Sequence, residues 1–137
     1  MTTYHKEITE HHDGHGLTER IRVIAVDEPG PGGASHEYRF FHSGDVPWSE
    51  LGKRVDMLEV GWLQFQKGPR SQPGSVPGVL TVAVLAALID QARDFQAGPY
   101  PSDEGAQALY HLEEAARWLR ERADKRAERG VLGINAK

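Results

Sequence analysis

Twelve residues near the middle of the chain, Lys67 to Gly78 (KGPRSQPGSVPG), include three prolines and three glycines. Proline removes a backbone donor and glycine adds backbone entropy, so neither a helix nor a strand runs through such a segment. The loop divides the 137-residue chain into an N-terminal and a C-terminal portion, and the two read differently. A chain of this length supports a single domain. Within it the sequence suggests a flexible segment over 1–16, a β-sheet portion over 17–66, the loop over 67–78 and a helical portion over 79–137.

The first portion carries strand signals. Leu17 to Asp27 holds Ile21, Val23, Ile24 and Val26, a β-branched run that fits a pleated, half-buried surface. Pro29 to Gly33 (PGPGG) forms a turn or loop, and His36 to His42, with Tyr38, Phe40 and Phe41, returns as its partner. After a second loop at Ser43 to Pro47, Met57 to Gln66 reads as a further strand, with Leu58, Val60, Trp62 and Phe65 available for a buried face. The first sixteen residues are polar and His-rich, with room for a short strand around Tyr4 to Ile8. His11, His12 and His15 have a spacing that suits a transition metal, but the Gly-bearing context favours a flexible tail.

The second portion is helical. Thr81 is the expected N-cap of a helix running to about Phe95. Its residues Val82 to Ile89 are apolar on every side, the mark of a helix covered by more than one neighbour, whether the strands or a second copy of the chain. Gly98 and Pro99 end it, Ser102 caps a second helix, and Asp103 and Glu104 sit in its first turn, where the helix dipole favours negative charge. Leu109, Leu112, Ala116, Leu119 and Ala123 recur by three and four as its core stripe. Gly130 is the expected left-handed stop. The short connection makes the pair an antiparallel hairpin.

The last part of that second helix, Arg117 to Arg129, holds six of the sixteen basic residues of a chain whose formal charge is −4. Arg122 and Arg129 stand seven residues apart and Arg126 three before the latter, so all three flank the core stripe on one face. Two readings are open. The arginines are a solvated face paired to Glu121, Asp124 and Glu128, or they are guanidinium forks arrayed for phosphate or pyrophosphate. The acidic total and a pI near 6.0 argue against a general nucleic-acid binder. There are no cysteines, hence no thiolate metal site and no disulfide scaffold. Met1 to Glu10 lacks the apolar run of a signal peptide, and Val79 to Ile89 is too short to span a bilayer. A cytoplasmic protein is expected, or one in a host cytoplasm if phage-encoded, with no cofactor.

Phe65 to Arg70 (FQKGPR), Phe95-Gln96 at a helix end, Ala108 to Ala115 (ALYHLEEA), Trp118-Leu119 and Arg122 to Gly133 (RADKRAERGVLG), taken in order, resemble the Thoeris anti-defence protein 1 family. The resemblance covers Leu63 to Gly133, about half the chain. It implies an α+β fold, an N-terminal antiparallel β-sheet packed against a C-terminal antiparallel helical hairpin, assembled as a homodimer or hexamer. It also implies a phage protein that sequesters a cyclic nucleotide messenger of bacterial immunity without cleaving it. Glycocyclic ADP-ribose is the expected ligand, with cyclic di- or trinucleotides at a second site. By position, the family's base-stacking aromatic falls on Phe95 and its pyrophosphate-binding arginines on Arg122 and Arg126. Gln96 and Arg129 adjoin these in the candidate set, and Arg70 is associated with the second site. Gly105 stands where the family usually has Asn, which puts that second site in question. Trp48, Trp62 and the PGPGG loop have no counterpart in the resemblance.

Two other functions fit parts of the sequence. Glu113 and Glu114 on one helix, with Asp90 and Asp94 on the other, suit a Mg²⁺ cluster of an all-α nucleotide pyrophosphohydrolase, although Arg117 would repel the metal. A small oligomeric DNA-binding regulator would use the Arg-rich helix, against the net charge. No Ser-His-Asp set, Gly-rich phosphate loop or dinucleotide fingerprint is present.

Overall fold

The structure, a computed structural model, describes residues 4–42, 58–69 and 72–131. They fall into two compact units, Met1–Lys67 and Gly68–Lys137. The expected loop at Ser43 to Pro47, Trp48 and Arg70 lie outside the described residues.

The first unit is a four-stranded antiparallel meander, β1 (Lys6–Ile8), β2 (Ile21–Ala25), β3 (Glu37–His42) and β4 (Leu58–Gln64), in the order β1-β2-β3-β4. The registers Glu7↔Ile24, Ile24↔Arg39 and Arg39↔Trp62 put these four side chains on one face, because successive residues of a strand alternate. Ile24 and Ala25 are buried on opposite faces of β2. The strand expected from Leu17 starts only at Ile21, since Thr18–Arg20 forms a 3-10 turn.

β4 departs from its expected burial. Val60 and Trp62 are exposed rather than core residues, Trp62 by 61%. Alternation predicts two faces but not which of them is covered. The Trp62 face is polar: the indole Nε1 donates to Glu37 at 2.9 Å, and Arg39 bridges Glu37 and Glu59, both at 3.0 Å, with its guanidinium 5.5 Å from the Trp62 ring. A register shift between Phe40 and Phe41 leaves Gly61 opposite Phe40, where a Cβ would come within 3.3 Å of the ring.

Residues 4–16 contain the paired strand β1 and a hydrogen-bonded loop. His11 Nε2 meets the Ile21 carbonyl at 2.6 Å. Asp13 accepts the His15 N–H and the Thr18 hydroxyl, an Asx-type turn. Glu19 receives the N–H groups of Gly14 and Gly16, both at positive φ. Burial opposes its charge, yet these bonds and the Thr18 hydroxyl win and hold the carboxyl at about 2. The histidines thus belong to a closed loop, and among the described residues no metal-holding group of three or more ligands occurs.

The PGPGG loop is closed by Gly30 N–H to the Ala34 carbonyl, with Gly32 and Gly33 at positive φ. Asp27 anchors it. Its carboxylate accepts the His36 and Glu37 N–H groups at about 2.9 Å and lies 3.5 Å from Lys67 Nζ. Desolvation pushes this carboxyl up, but the two N–H bonds and Lys67 together leave it below its ordinary 3.8. Ionised Asp27 therefore stabilises the fold above the unfolded-state pKa, and that contribution is lost as pH falls through the lower folded value. Asp27→Asn is expected to melt lower than wild type at pH 7, with the two curves converging as pH drops below the usual carboxylate range. Circular dichroism melts across roughly pH 2–7, a range set by the carboxylate pKa values, check this.

The second unit is a helical hairpin, α1 (Thr81–Ala97) and α2 (Asp103–Glu128), as the sequence pattern predicts. Thr81 is the first helical residue rather than the cap; Leu80 holds the N-cap position without a side-chain bond. Ser102 caps α2 as expected, accepting the Gly105 N–H at 2.9 Å. Gly130 takes φ +72, with its N–H on Ala127 and that of Val131 on Arg126: the six-to-one and five-to-two bonds of a Schellman stop. Leu85, Ile89 and Ala92 turn inward from α1, and Leu109, Leu112, Ala116, Leu119 and Ala123 from α2; Ile89 is buried. The uniform apolarity of α1 is not matched by uniform burial, since Val82 and Leu88 are about two-fifths exposed.

Candidate functional site: one face of the helical hairpin

The hairpin has two broad faces, and one ion pair tells them apart. Arg93 of α1 meets Glu113 of α2 at 2.6 Å, so both side chains emerge on the same side. At about 100° per residue, Leu88 and Phe95 lie about 70–90° from the inward direction of α1 on the side away from Arg93. By the same construction Trp118, Arg122 and Arg129 lie on the side of α2 away from Glu113. One face therefore carries Leu88, Phe95, Trp118 and Arg122; the other carries the Arg93–Glu113 pair with Asp90 and Asp94. The acids and the candidate ligand groups are segregated.

Phe95 is 66% exposed and Trp118 59%. Large aromatic side chains left in water at a helix surface are a better pointer to a binding face than scattered aliphatics. Arg122 is exposed, and among the described residues it has no hydrogen-bond or ion-pair partner. The expected neutralisation of the arginines by Glu121, Asp124 and Glu128 does not extend to it. Glu121 lies 3.8 Å from Lys125 instead. Arg126 differs: it is half-buried, and its Nη2 donates to the Val131 carbonyl at 3.1 Å, reinforcing the helix stop. Arg129 is exposed and forms the C-cap of α2.

Within one chain these groups are not a single pocket. Phe95 lies in the last turn of α1, beside the interhelix loop, whereas Arg122 is nineteen residues beyond the start of α2. With a rise of 1.5 Å per residue they stand about 25 Å apart along the hairpin. The structure thus gathers Arg122, Arg126 and Arg129 near one end and sets Phe95 and Gln96 at the other.

Gln96 has a definite task. Its Nε2 donates to the Ser102 carbonyl at 2.9 Å and its Oε1 accepts the Ser102 N–H at 3.2 Å. Both ends of the amide are used to bracket the loop, a role that sequence spacing could not show. The same bracket accounts for Gly105, where a Cβ would lie 2.5 Å from Gln96 Oε1 and 2.9 Å from Ser102 Oγ. An asparagine at 105 and this placement of Gln96 exclude one another.

The alternative metal cluster is spoken for by ion pairs. Glu113 bonds Arg93, and Glu114 bonds Arg117 through two contacts at 3.3 and 3.0 Å. The Arg117 bonds outweigh desolvation and hold the Glu114 carboxyl below its ordinary value.

With this geometry in view, residues 63–123 match the family model described as the Acb2/Tad1 hairpin domain. The match takes in the helical hairpin and covers less than half of the chain. A relative named Thoeris anti-defense 1, from Bacillus phage SBSphiJ7, is 36% identical over 79 residues, which are 58% of this chain and 55% of that protein. The chain therefore spans about half the length of the relative it matches. The matched family segment includes Phe95, Gln96, Gly105, Trp118 and Arg122, and it stops short of Arg126 and Arg129.

Gln96→Ala is expected to lower stability by about 1 kcal/mol, the worth of an exposed bracket of this type, and Gly105→Asn to lower it by displacing the same amide. Because both act on one contact, the double variant should lose less than the sum of the singles. Urea denaturation of the four proteins measures the coupling; strict additivity would show that the bracket is not the shared element.

Proposed function

We propose that this protein is a phage anti-defence protein that captures a cyclic nucleotide messenger of bacterial immunity and holds it uncleaved in the host cytoplasm, blocking Thoeris signalling. Glycocyclic ADP-ribose is the ligand whose chemistry the candidate groups suit. The reading is carried by one observation: an exposed guanidinium, Arg122, without a partner among the described residues, on a hairpin face that also exposes Phe95 and is free of the Arg93–Glu113 pair. It is supported by the family match of the hairpin and the name of the phage relative.

The roles follow from chemistry. Phe95 offers a ring for adenine, and such stacking contributes roughly 1–3 kcal/mol. Arg122 grips the pyrophosphate through paired N–H donors, with Arg126 and Arg129 adding positive potential at the same helix end. Since one chain holds the ring and the guanidinium about 25 Å apart, the complete pocket uses two copies, the loop end of one hairpin lying against the Arg122 end of another. The exposed Leu88 of α1, on the same face as Phe95, supplies apolar surface for that association. A second site for cyclic oligonucleotides, where Arg70 would act, is disfavoured in this chain by Gly105 and the Gln96 bracket.

Nanomolar capture corresponds to about −12 kcal/mol, so deletion of one charge-assisted contact is measurable. Arg122→Ala is expected to weaken binding of glycocyclic ADP-ribose at least tenfold, as a lost charged hydrogen bond of about 1.5–3 kcal/mol implies, with an unchanged melting temperature. Calorimetry with linear ADP-ribose as control reads the affinity. Heat-denaturing the saturated protein in the presence of Mg²⁺ reads the fate of the ligand: recovery intact supports a sponge, whereas recovered cleavage products would establish an enzyme.

A further inference from the structure

Trp118 is the largest exposed ring on the Arg122 face, and its setting is built rather than incidental. Arg117 is fixed by Glu114 through two hydrogen bonds, and its guanidinium carbon lies 4.5 Å from the Trp118 ring centroid. An ion pair thus holds a planar cation over one side of the indole, while the ring as a whole stays 59% exposed. Trp118 and Arg122 are four residues apart on a helix, neighbours with Cβ atoms about 5–6 Å apart. A preset ring beside an unneutralised guanidinium offers stacking and anion contacts at the spacing between a nucleoside ring and its own phosphate.

We propose that Trp118 is a specificity-determining contact of the capture site: its indole stacks on a ring of the nucleotide whose phosphates Arg122 holds, and the Glu114–Arg117 pair positions it. The inference rests on the capture reading and deepens it. It assigns a second ring platform at the phosphate end, remote from Phe95 on the same chain. A pyrophosphate lacking rings gains nothing from it, so Trp118 separates nucleotides from free phosphates, which Arg122 alone does not. Preorganisation by Arg117 lowers the ordering cost of the contact.

The test uses the full chain with glycocyclic ADP-ribose and inorganic pyrophosphate as probes. In a Trp48→Phe, Trp62→Phe background, where Trp118 is the sole indole, glycocyclic ADP-ribose is expected to quench the fluorescence and pyrophosphate to leave it nearly unchanged. Trp118→Ala should weaken the nucleotide about tenfold or more, in line with loss of one stacked base, and leave pyrophosphate affinity unaltered; Trp118→Phe should restore most of the loss. Light scattering gives the assembly mass of each variant. Normal nucleotide affinity in Trp118→Ala overturns the proposal and leaves the capture reading standing. An equal loss for both probes, or a changed assembly mass, also overturns it by showing a purely structural role. A wild-type protein that binds neither probe overturns the capture reading and this inference together.

Discussion

The antiparallel contact between α1 and α2 decides the sidedness of every other residue on the hairpin. Once Leu85, Ile89 and Ala92 face Leu109, Leu112, Ala116 and Leu119, helical geometry leaves no freedom over where Phe95, Trp118 and Arg122 emerge. The axial register is held separately, by Ser102 capping α2 and by Gln96 bridging both backbone groups of that same serine. A slip of one turn, about 5.4 Å, would part Arg93 from Glu113 and free the carboxylates to approach the cationic end. The loop bracket is therefore tied to the electrostatics of the distant face through a rigid rod, with no direct contact between them.

Features set by local chemistry were legible in the sequence. Ser102 and Gly130 sit where a side-chain acceptor and a positive φ are needed, and both do what their residue types predict. The β-branched run at Ile21 to Val26 and its aromatic partner are a hairpin for the same reason. What the sequence could not show depends on contacts between distant residues. Trp62 faces outward because, on the neighbouring strand, Glu37 accepts its N–H and Arg39 covers its ring, and no pattern within β4 announces that. In the His-rich segment Glu19, several residues downstream, accepts the Gly14 and Gly16 N–H groups, a contact that composition does not show.

The arginines illustrate the same division. Arg122, Arg126 and Arg129 are equivalent by spacing, and spacing placed them correctly near the core stripe. Their inequality comes from the helix stop: the Schellman turn brings the Val131 carbonyl to Arg126 and leaves Arg122, one turn earlier, beyond its reach. Gln96 likewise adjoins Phe95 in sequence yet points to the loop, because residues one apart on a helix are about 100° apart in direction. Adjacency in a motif does not confer a shared role.

On the proposed reading, a chain with formal charge −4 that holds a small anion at Arg122 must keep its acids from cancelling the effect. Segregation across the hairpin does this. At physiological salt, charges more than about 8 Å apart are largely screened, so Asp90, Asp94 and Glu113 on the far face detract little from a small diphosphate at Arg122. An extended polyanion is different, since its charge repeats along its whole length. It would overrun the short cationic patch and meet Glu121, Asp124 and Glu128, which share α2 with the arginines. On the proposed reading, the charge pattern suits a small phosphate better than a nucleic acid, with no need for a higher total positive charge.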